Sequence, residues 1–291
     1  RMSRASNGLP VLRVLIEDLR IPEGRARKFL AEGLVTVNAQ RSTEETIAST
    51  GQTMRVDALP YESYGVEIED IELQVLYEDD HVLVVDKPGG MIAYPGDPTD
   101  SGTLAGAVAF HYAQTGVKRT VRHIHRLDRD TTGVVLFAKH ALVAPLLDAQ
   151  LRDRQITRKY VAIVRGKLSE RKLTVDAPIG RDRHVSGRQR VAVNGKRAVT
   201  HIRVLESWPE ASLIEVRLDT GRTHQIRVHL AHIGAPLYGD TLYGEPNPRI
   251  TRQALHAEQI TFIHPYTNDT VTVDSPWPND FAALAHSLRG S

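Results

Sequence analysis

A charged segment, His123-Ile124-His125-Arg126-Leu127-Asp128-Arg129-Asp130-Thr131-Thr132-Gly133, runs straight into the apolar stretch Val134–Ala138. An apolar run behind a glycine reads as a loop feeding a buried strand, with Gly133 as the break between them. Asp128 stands two residues after Arg126, among His123, His125 and Arg129. A carboxylate among cations has its charged form favoured. Such a group suits work as a nucleophile or electrostatic stabiliser better than as a general acid at neutral pH. On spacing alone, the same cluster also reads as a surface salt-bridge network capping a strand.

The surrounding chain can support either reading. At 291 residues it can bury a full core in one large domain or two. No run of eighteen or so apolar residues is present, so no membrane span is expected. The polar N-terminus lacks the apolar core of a signal peptide. The absence of cysteine excludes disulfides and thiolate metal sites and fits a cytoplasmic protein. The net charge of +2 conceals a strong unevenness. Positions 118–203 carry 21 Lys and Arg against 7 Asp and Glu, whereas positions 56–80 carry nine acids and no Lys or Arg. A chain so locally basic is a candidate for nucleic-acid binding, although a solvated surface would give the same count.

The first sixty residues read as a separate module, followed by an acidic linker over 61–72. Helical spacing covers Val11–Leu19 and Arg25–Glu32, with Pro22 opening the second helix and Gly33 closing it. A strand, Leu34–Val37, then leads to the turn Asn38-Ala39. The segment from Arg25 to Asn38 resembles the S4 RNA-binding domain, in which a helix ending in glycine precedes a strand of the form VxVN. Arg25, Arg27 and Lys28 would there meet phosphates, which supplies affinity without sequence reading. They would equally serve as the solvent face of an amphipathic helix.

From Leu73 onward the pattern predicts strands at Val75–Tyr77, His81–Val85, Thr157–Val164, Val199–Leu205 and Leu213–Leu218. It predicts helices over Leu104–Tyr112 and Ala141–Leu151, the second with Pro145 in its first turn. Positions 180–197, with Arg188, Arg190 and Arg197, read as a mobile basic loop suited to an RNA backbone. After Gly221, Thr223 is placed to cap a helix that Gly234 stops. That helix carries His224, His229 and His232, but not at zinc-ligand spacing, so no metal is expected.

His125-Arg126-Leu127-Asp128-x-x-Thr131-Thr132-Gly133 closely resembles the central motif of the RluA-type pseudouridine synthases, HRLDxxTSG, with Thr132 where serine is common. Tyr77–Gly90 resembles that family's first motif, Arg158–Gly166 its KxYxAxVxG form with Arg158 at the first position, and Thr220–His229 its TGRTHQIRxH motif. The resemblance covers essentially the whole chain. It implies an α+β protein, with an S4-like domain over 1–60 and a mixed, largely antiparallel sheet domain over 73–291. It implies isomerisation of uridine to pseudouridine in RNA, without metal or other cofactor, by a monomer with no membrane role. Asp128 falls on the catalytic aspartate, Tyr160 on the active-site tyrosine, and Arg222 on the arginine expected to pair with Asp128. Arg126 is the candidate to hold the stack that a flipped base leaves behind. S4-bearing members commonly act on large-subunit ribosomal RNA and related ones on transfer RNA. A ribosome-assembly factor that binds RNA without catalysis is the further alternative. A glycosidase would want two carboxyls at defined separation, and the motifs offer one acid flanked by cations.

Overall fold

The computed structural model describes residues 7–57, 61–97 and 99–290. In chain order the elements are α1 (Val11–Glu17), α2 (Glu23–Ala31), β1 (Val35–Val37), β2 (Gln40–Arg41), β3 (Met54–Val56), β4 (Gln74–Glu78), β5 (Val82–Lys87) and α3 (Leu104–Gln114). Next come β6 (Arg122–His123), β7 (Thr132–Ala138), α4 (Ala144–Arg152), β8 (Thr157–Arg165), β9 (Lys172–Asp176), β10 (Ile179–Arg181), β11 (Gln189–Val191), β12 (Val199–Ser207) and β13 (Ala211–Leu218). The last are α5 (Gln225–His232), β14 (Leu255–Ile263), β15 (Thr270–Asp274) and α6 (Asn279–Arg289).

The apolar run Val134–Ala138 lies in β7, every residue of which is buried, inside a ten-stranded sheet. The path is β4-β5-β7-β14-β8-β13-β12-β9, with β15 on β14 and β6 on β7. Among the described residues β7–β14 is its one parallel ladder; the other named pairs are antiparallel. Side chains of β8 alternate between two cores, as the two-residue period of a strand requires. Tyr160, Ala162 and Val164 join α3, α4 and α5 in the main core, while Val161 and Ile163 pack with Phe281, Leu284 and Leu288 of α6. Both faces are therefore covered, which is why the central strands read as continuous apolar runs. Gly133 has φ +111° where β7 meets β14, and a Cβ there would stand 2.2 Å from the Ala257 carbonyl oxygen. Only glycine lets the Asp128 loop enter the sheet at this point.

The N-terminal module is a small sheet, β2-β1-β3, against α1 and α2, with its own core and a contact to Leu142. Residues 58–60, just before the expected linker, lie outside the described residues. Its described part is no open tether. Glu62 pairs with Arg122 at 2.6 Å, the Val121 N–H donates to the Tyr64 carbonyl, and Glu69 accepts from the Thr103 N–H and hydroxyl at the start of α3. Two acids of the block thus serve as internal partners for this domain. The stretch expected as a mobile basic loop holds a hairpin, β10–β11, in register from Ile179↔Val191 to Arg181↔Gln189. No helix of the described residues is long and apolar enough to cross a membrane.

Candidate active site

The loop before β7 is fixed by its backbone. The Thr131 N–H donates to the Asp128 carbonyl at 3.1 Å. Lys87, fully buried, sends its ammonium to the carbonyls of Pro88, Met91 and Arg129 at 2.7–2.8 Å. Burial pushes the Lys87 pKa down to about 7, against the attraction of Asp130 and Asp128. The Gln253 amide donates to the Thr131 hydroxyl at 3.1 Å, and the Thr132 hydroxyl meets His256 Nδ1 at 2.9 Å. The loop therefore presents Asp128 from a backbone that is held on both sides.

Asp128 opens into a cleft of about 740 Å³ that Arg126, Arg158, Tyr160, Arg222, His224 and Arg227 also line. Its side chain is 26 % exposed. The cations beside it in sequence are not its partners. His125 is buried, accepts the Leu136 N–H on Nε2 at 3.2 Å, and has its pKa driven down to about 3 by burial. His123 is also pushed down, by burial and then by Arg126. Both imidazoles are thus neutral at neutral pH, contrary to the cationic cluster expected from spacing.

The counter-charge comes from α5. Arg227 Nη1 lies 3.3 Å from Asp128 Oδ2. The same guanidinium grips Asp240 through Nε at 2.7 Å and Nη2 at 2.8 Å. Asp240 is fully buried, and its Oδ1 also accepts the Leu242 and Tyr243 N–H groups. This planar fork is the geometry that suits arginine and not lysine. Arg222, expected in this role, is exposed and donates from Nε to the Arg197 carbonyl at 3.0 Å. The reason is the helix start. Thr223 makes no cap; α5 begins at Gln225 behind His224, whose φ is +56°. Gln225 accepts the Arg222 N–H and donates to the Val199 carbonyl, which turns Arg222 outward and Arg227 inward.

His224 and Arg158 complete the wall. His224 Nε2 stands 3.9 Å from Asp128 Oδ2, and burial lowers its pKa despite that neighbour. Tyr160 is 4 % exposed, and burial raises its phenol against the pull of the neighbouring Arg158. Arg158 is two residues before Tyr160, hence on the same face of β8. Arg126 is exposed at the cleft and has no hydrogen-bond or ion-pair partner among the described residues. Among the described residues no group of His, Asp and Glu is arranged to hold a metal ion. The Asp128 carboxylate beside a buried guanidinium, a buried aromatic and a rim of arginines, with Asp148 and Asp219 also in the lining, make a site for a polyanionic substrate with a flat base.

Residues 81–232 match the model of the RNA pseudouridylate synthase family. The chain belongs to that family. As an RNA pseudouridine synthase it is 39% identical over 288 residues to a Bacillus subtilis protein named an uncharacterized RNA pseudouridine synthase, covering 98% of this chain and 95% of the relative. It is 41% identical over 277 residues to ribosomal large subunit pseudouridine synthase D of Nitrosomonas europaea, covering 91% of this chain and 80% of the relative. The solved structure of human RNA pseudouridylate synthase domain containing 4 matches with a TM-score of 0.62 at 25% identity, over 74% of this chain and 93% of that one.

The basic residues expected at the RNA outside this synthase's cleft are partly engaged within the protein. Arg27 is paired with Glu23 and Glu44, and Lys28 lies 3.6 Å from Glu32. Arg25 is half-buried on α2. Arg188 faces Asp182 at 3.9 Å, Arg197 faces Asp176 at 3.8 Å, and Arg190 is exposed. Spacing and motif assign no site role to Arg227, Asp240, Arg158 or Lys87, and give His224 only as a histidine off zinc spacing. Arg227 sits inside the TGRTHQIRxH motif, and only the point at which α5 begins sets it apart from Arg222.

Proposed function

We propose that this synthase converts uridines in structured large-subunit ribosomal RNA, with Asp128 as the essential carboxylate. The observation that carries the reading is the Arg227–Asp128 pair at 3.3 Å in the arginine-rimmed cleft over Tyr160. In the reaction the N1–C1′ bond breaks, the uracil turns, a C5–C1′ bond forms, the C5 proton leaves and N1 takes up a proton. Asp128 serves either as nucleophile at C1′ or as base toward the sugar, and the Arg227 guanidinium holds the carboxylate in place for either role. Tyr160 stacks on the extruded uracil, Arg126 holds the opened stack, and Arg222 contacts the substrate at the rim. The module over residues 7–57 acts as an S4-like RNA-binding domain through Arg25, Arg27 and Lys28. Arg27 and Lys28 would then exchange their glutamate partners for phosphate. Arg188, Arg190 and Arg197 on and beside the β10–β11 hairpin track the RNA backbone. The named activity of the Nitrosomonas europaea relative supports the ribosomal target. The enzyme works as a monomer in the cytoplasm.

The test has two parts. Pseudouridine is mapped in RNA from cells with and without the protein, and Asp128→Asn is assayed on the RNA so identified. The near-isosteric change should leave RNA affinity intact and reduce turnover below about a hundredth of wild type. Larger residual turnover would remove Asp128 from the chemistry, and a lost site in transfer RNA would replace the ribosomal target.

A further inference from the structure

Tyr243 lies outside every motif used above, yet it joins the hairpin to the catalytic carboxylate. Its hydroxyl accepts the Gln189 backbone N–H of β11 at 2.8 Å and meets His224 Nδ1 at 2.9 Å. With Gln189 on one lone pair, the phenol can donate its own proton to His224 Nδ1. In that arrangement the ring proton sits on Nε2, the nitrogen 3.9 Å from Asp128 Oδ2. Two guanidiniums also stand over the Tyr243 ring, with Arg188 just before the hairpin strand β11 5.4 Å and Arg227 5.0 Å from its centroid. Its backbone N–H is tied to Asp240, the residue that grips Arg227. Both groups that face Asp128 from α5 therefore touch one tyrosine, and that tyrosine also touches the hairpin.

We propose that Tyr243 is a positioning residue that couples the basic hairpin to Asp128, so that RNA seated on the hairpin is converted faster than the same uridine in an RNA too short to reach it. The proposal rests on the reading that the hairpin grips RNA. A hairpin drawn onto the backbone brings Gln189 and Arg188 firmly to Tyr243. The tyrosine then holds His224 in one tautomer and Arg227 in one orientation. A hairpin left free lets both partners of Asp128 wander. Substrate length would thus be sensed in the rate and not only in affinity.

The variant that isolates this is Tyr243→Phe, which keeps the ring beside the two guanidiniums and removes only the hydroxyl. Single-turnover rates are measured at saturating enzyme on two RNAs identified by the mapping above. One is the full structured element, and the other is a short single-stranded RNA with the same uridine and flanks. Comparing mutant with wild type on each RNA cancels the different cost of extruding the base. Loss of two ordinary hydrogen bonds should slow the structured RNA by about tenfold and the short RNA by less than about twofold, with affinity for both within about twofold. Equal slowing on both RNAs, or none on either, overturns the coupling. Arg188→Ala is then made in both backgrounds. It should slow the structured RNA at saturation in the wild type and add little to Tyr243→Phe; multiplicative losses overturn the proposal. Affinity separates the two levels of the argument. If Arg188→Ala and Arg190→Ala leave RNA affinity unchanged, the hairpin is not at the RNA and the underlying reading is the one that fails.

Discussion

Arg227 holds two carboxylates at once, and replacing it by methionine separates what it does for the fold from what it does for the reaction. The side chain is 8 % exposed and Asp240 is fully buried. Arg227→Met leaves the Asp240 carboxylate without a counter-charge in the interior. Breaking a buried pair from one side costs about 3–5 kcal/mol. At about 2–4 °C per kcal/mol for a protein of this size, Tm should fall by about 6–20 °C. Adding Asp240→Asn removes the stranded charge while keeping an oxygen for the Leu242 and Tyr243 N–H groups. The double variant should regain at least half of the lost stability, since a buried ion pair replaced on both sides is often close to neutral. Activity should behave differently. The bond from Nη1 to Asp128 is charge-assisted and worth about 1.5–3 kcal/mol, or about tenfold to a hundredfold in single-turnover rate. Asp240→Asn restores nothing there, so the rate should stay low. Thermal unfolding and single-turnover pseudouridine formation on the three proteins decide the matter. If the rate recovers together with Tm, Arg227 supports the fold alone, and the assignment of Asp128's orientation to it is wrong. A Tm loss under about 2 °C in Arg227→Met would refute the buried-pair argument itself.

The remaining predictions concern how RNA is held. Arg126→Ala should lose at least about tenfold more activity on a structured stem-loop than on a short unstructured RNA of the same local sequence, because unstacking costs about a few kcal/mol; equal losses would assign Arg126 to phosphate or to Asp128. Replacing Arg188, Arg190 and Arg197 together by alanine should flatten the dependence of log affinity on log salt by roughly two to three units, at about 0.7–0.9 per contact. A slope that does not change would place this face away from the RNA.

Much of the architecture is local in origin, which is why it could be read in advance. The helix over Leu104–Tyr112 appears as α3, Leu104–Gln114, with Thr103 accepting the Gly106 N–H as its cap. The strand over Thr157–Val164 appears as β8, Thr157–Arg165. Each depends on periodicity and end signals within about a dozen residues, and the covered sheet then rewards that same pattern. The basic stretch over 180–197 carries no such local signal. Its short hairpin strands are interrupted by glycines and arginines and carry little alternation, so nothing local marked β10 and β11 as strands.

By itself the sequence determined the loop that carries Asp128, the buried strand behind it, the glycine between them and the family motifs that name the reaction. Those features are contiguous, and a contiguous segment carries its own chemistry. Only the tertiary structure decided which charges meet. His123 and His125, next to Asp128 in the chain, are turned aside and made neutral by burial. Arg227, 99 positions away, supplies the cation, and Asp240 holds it there. The choice between Arg222 and Arg227 rests on where α5 begins, and that is set by Gln225 reaching back to β12. Charge in a sequence shows which ionic groups are available. Their pairing depends on which of them the folded chain removes from water together, and that is a property of the packed sheet and helix.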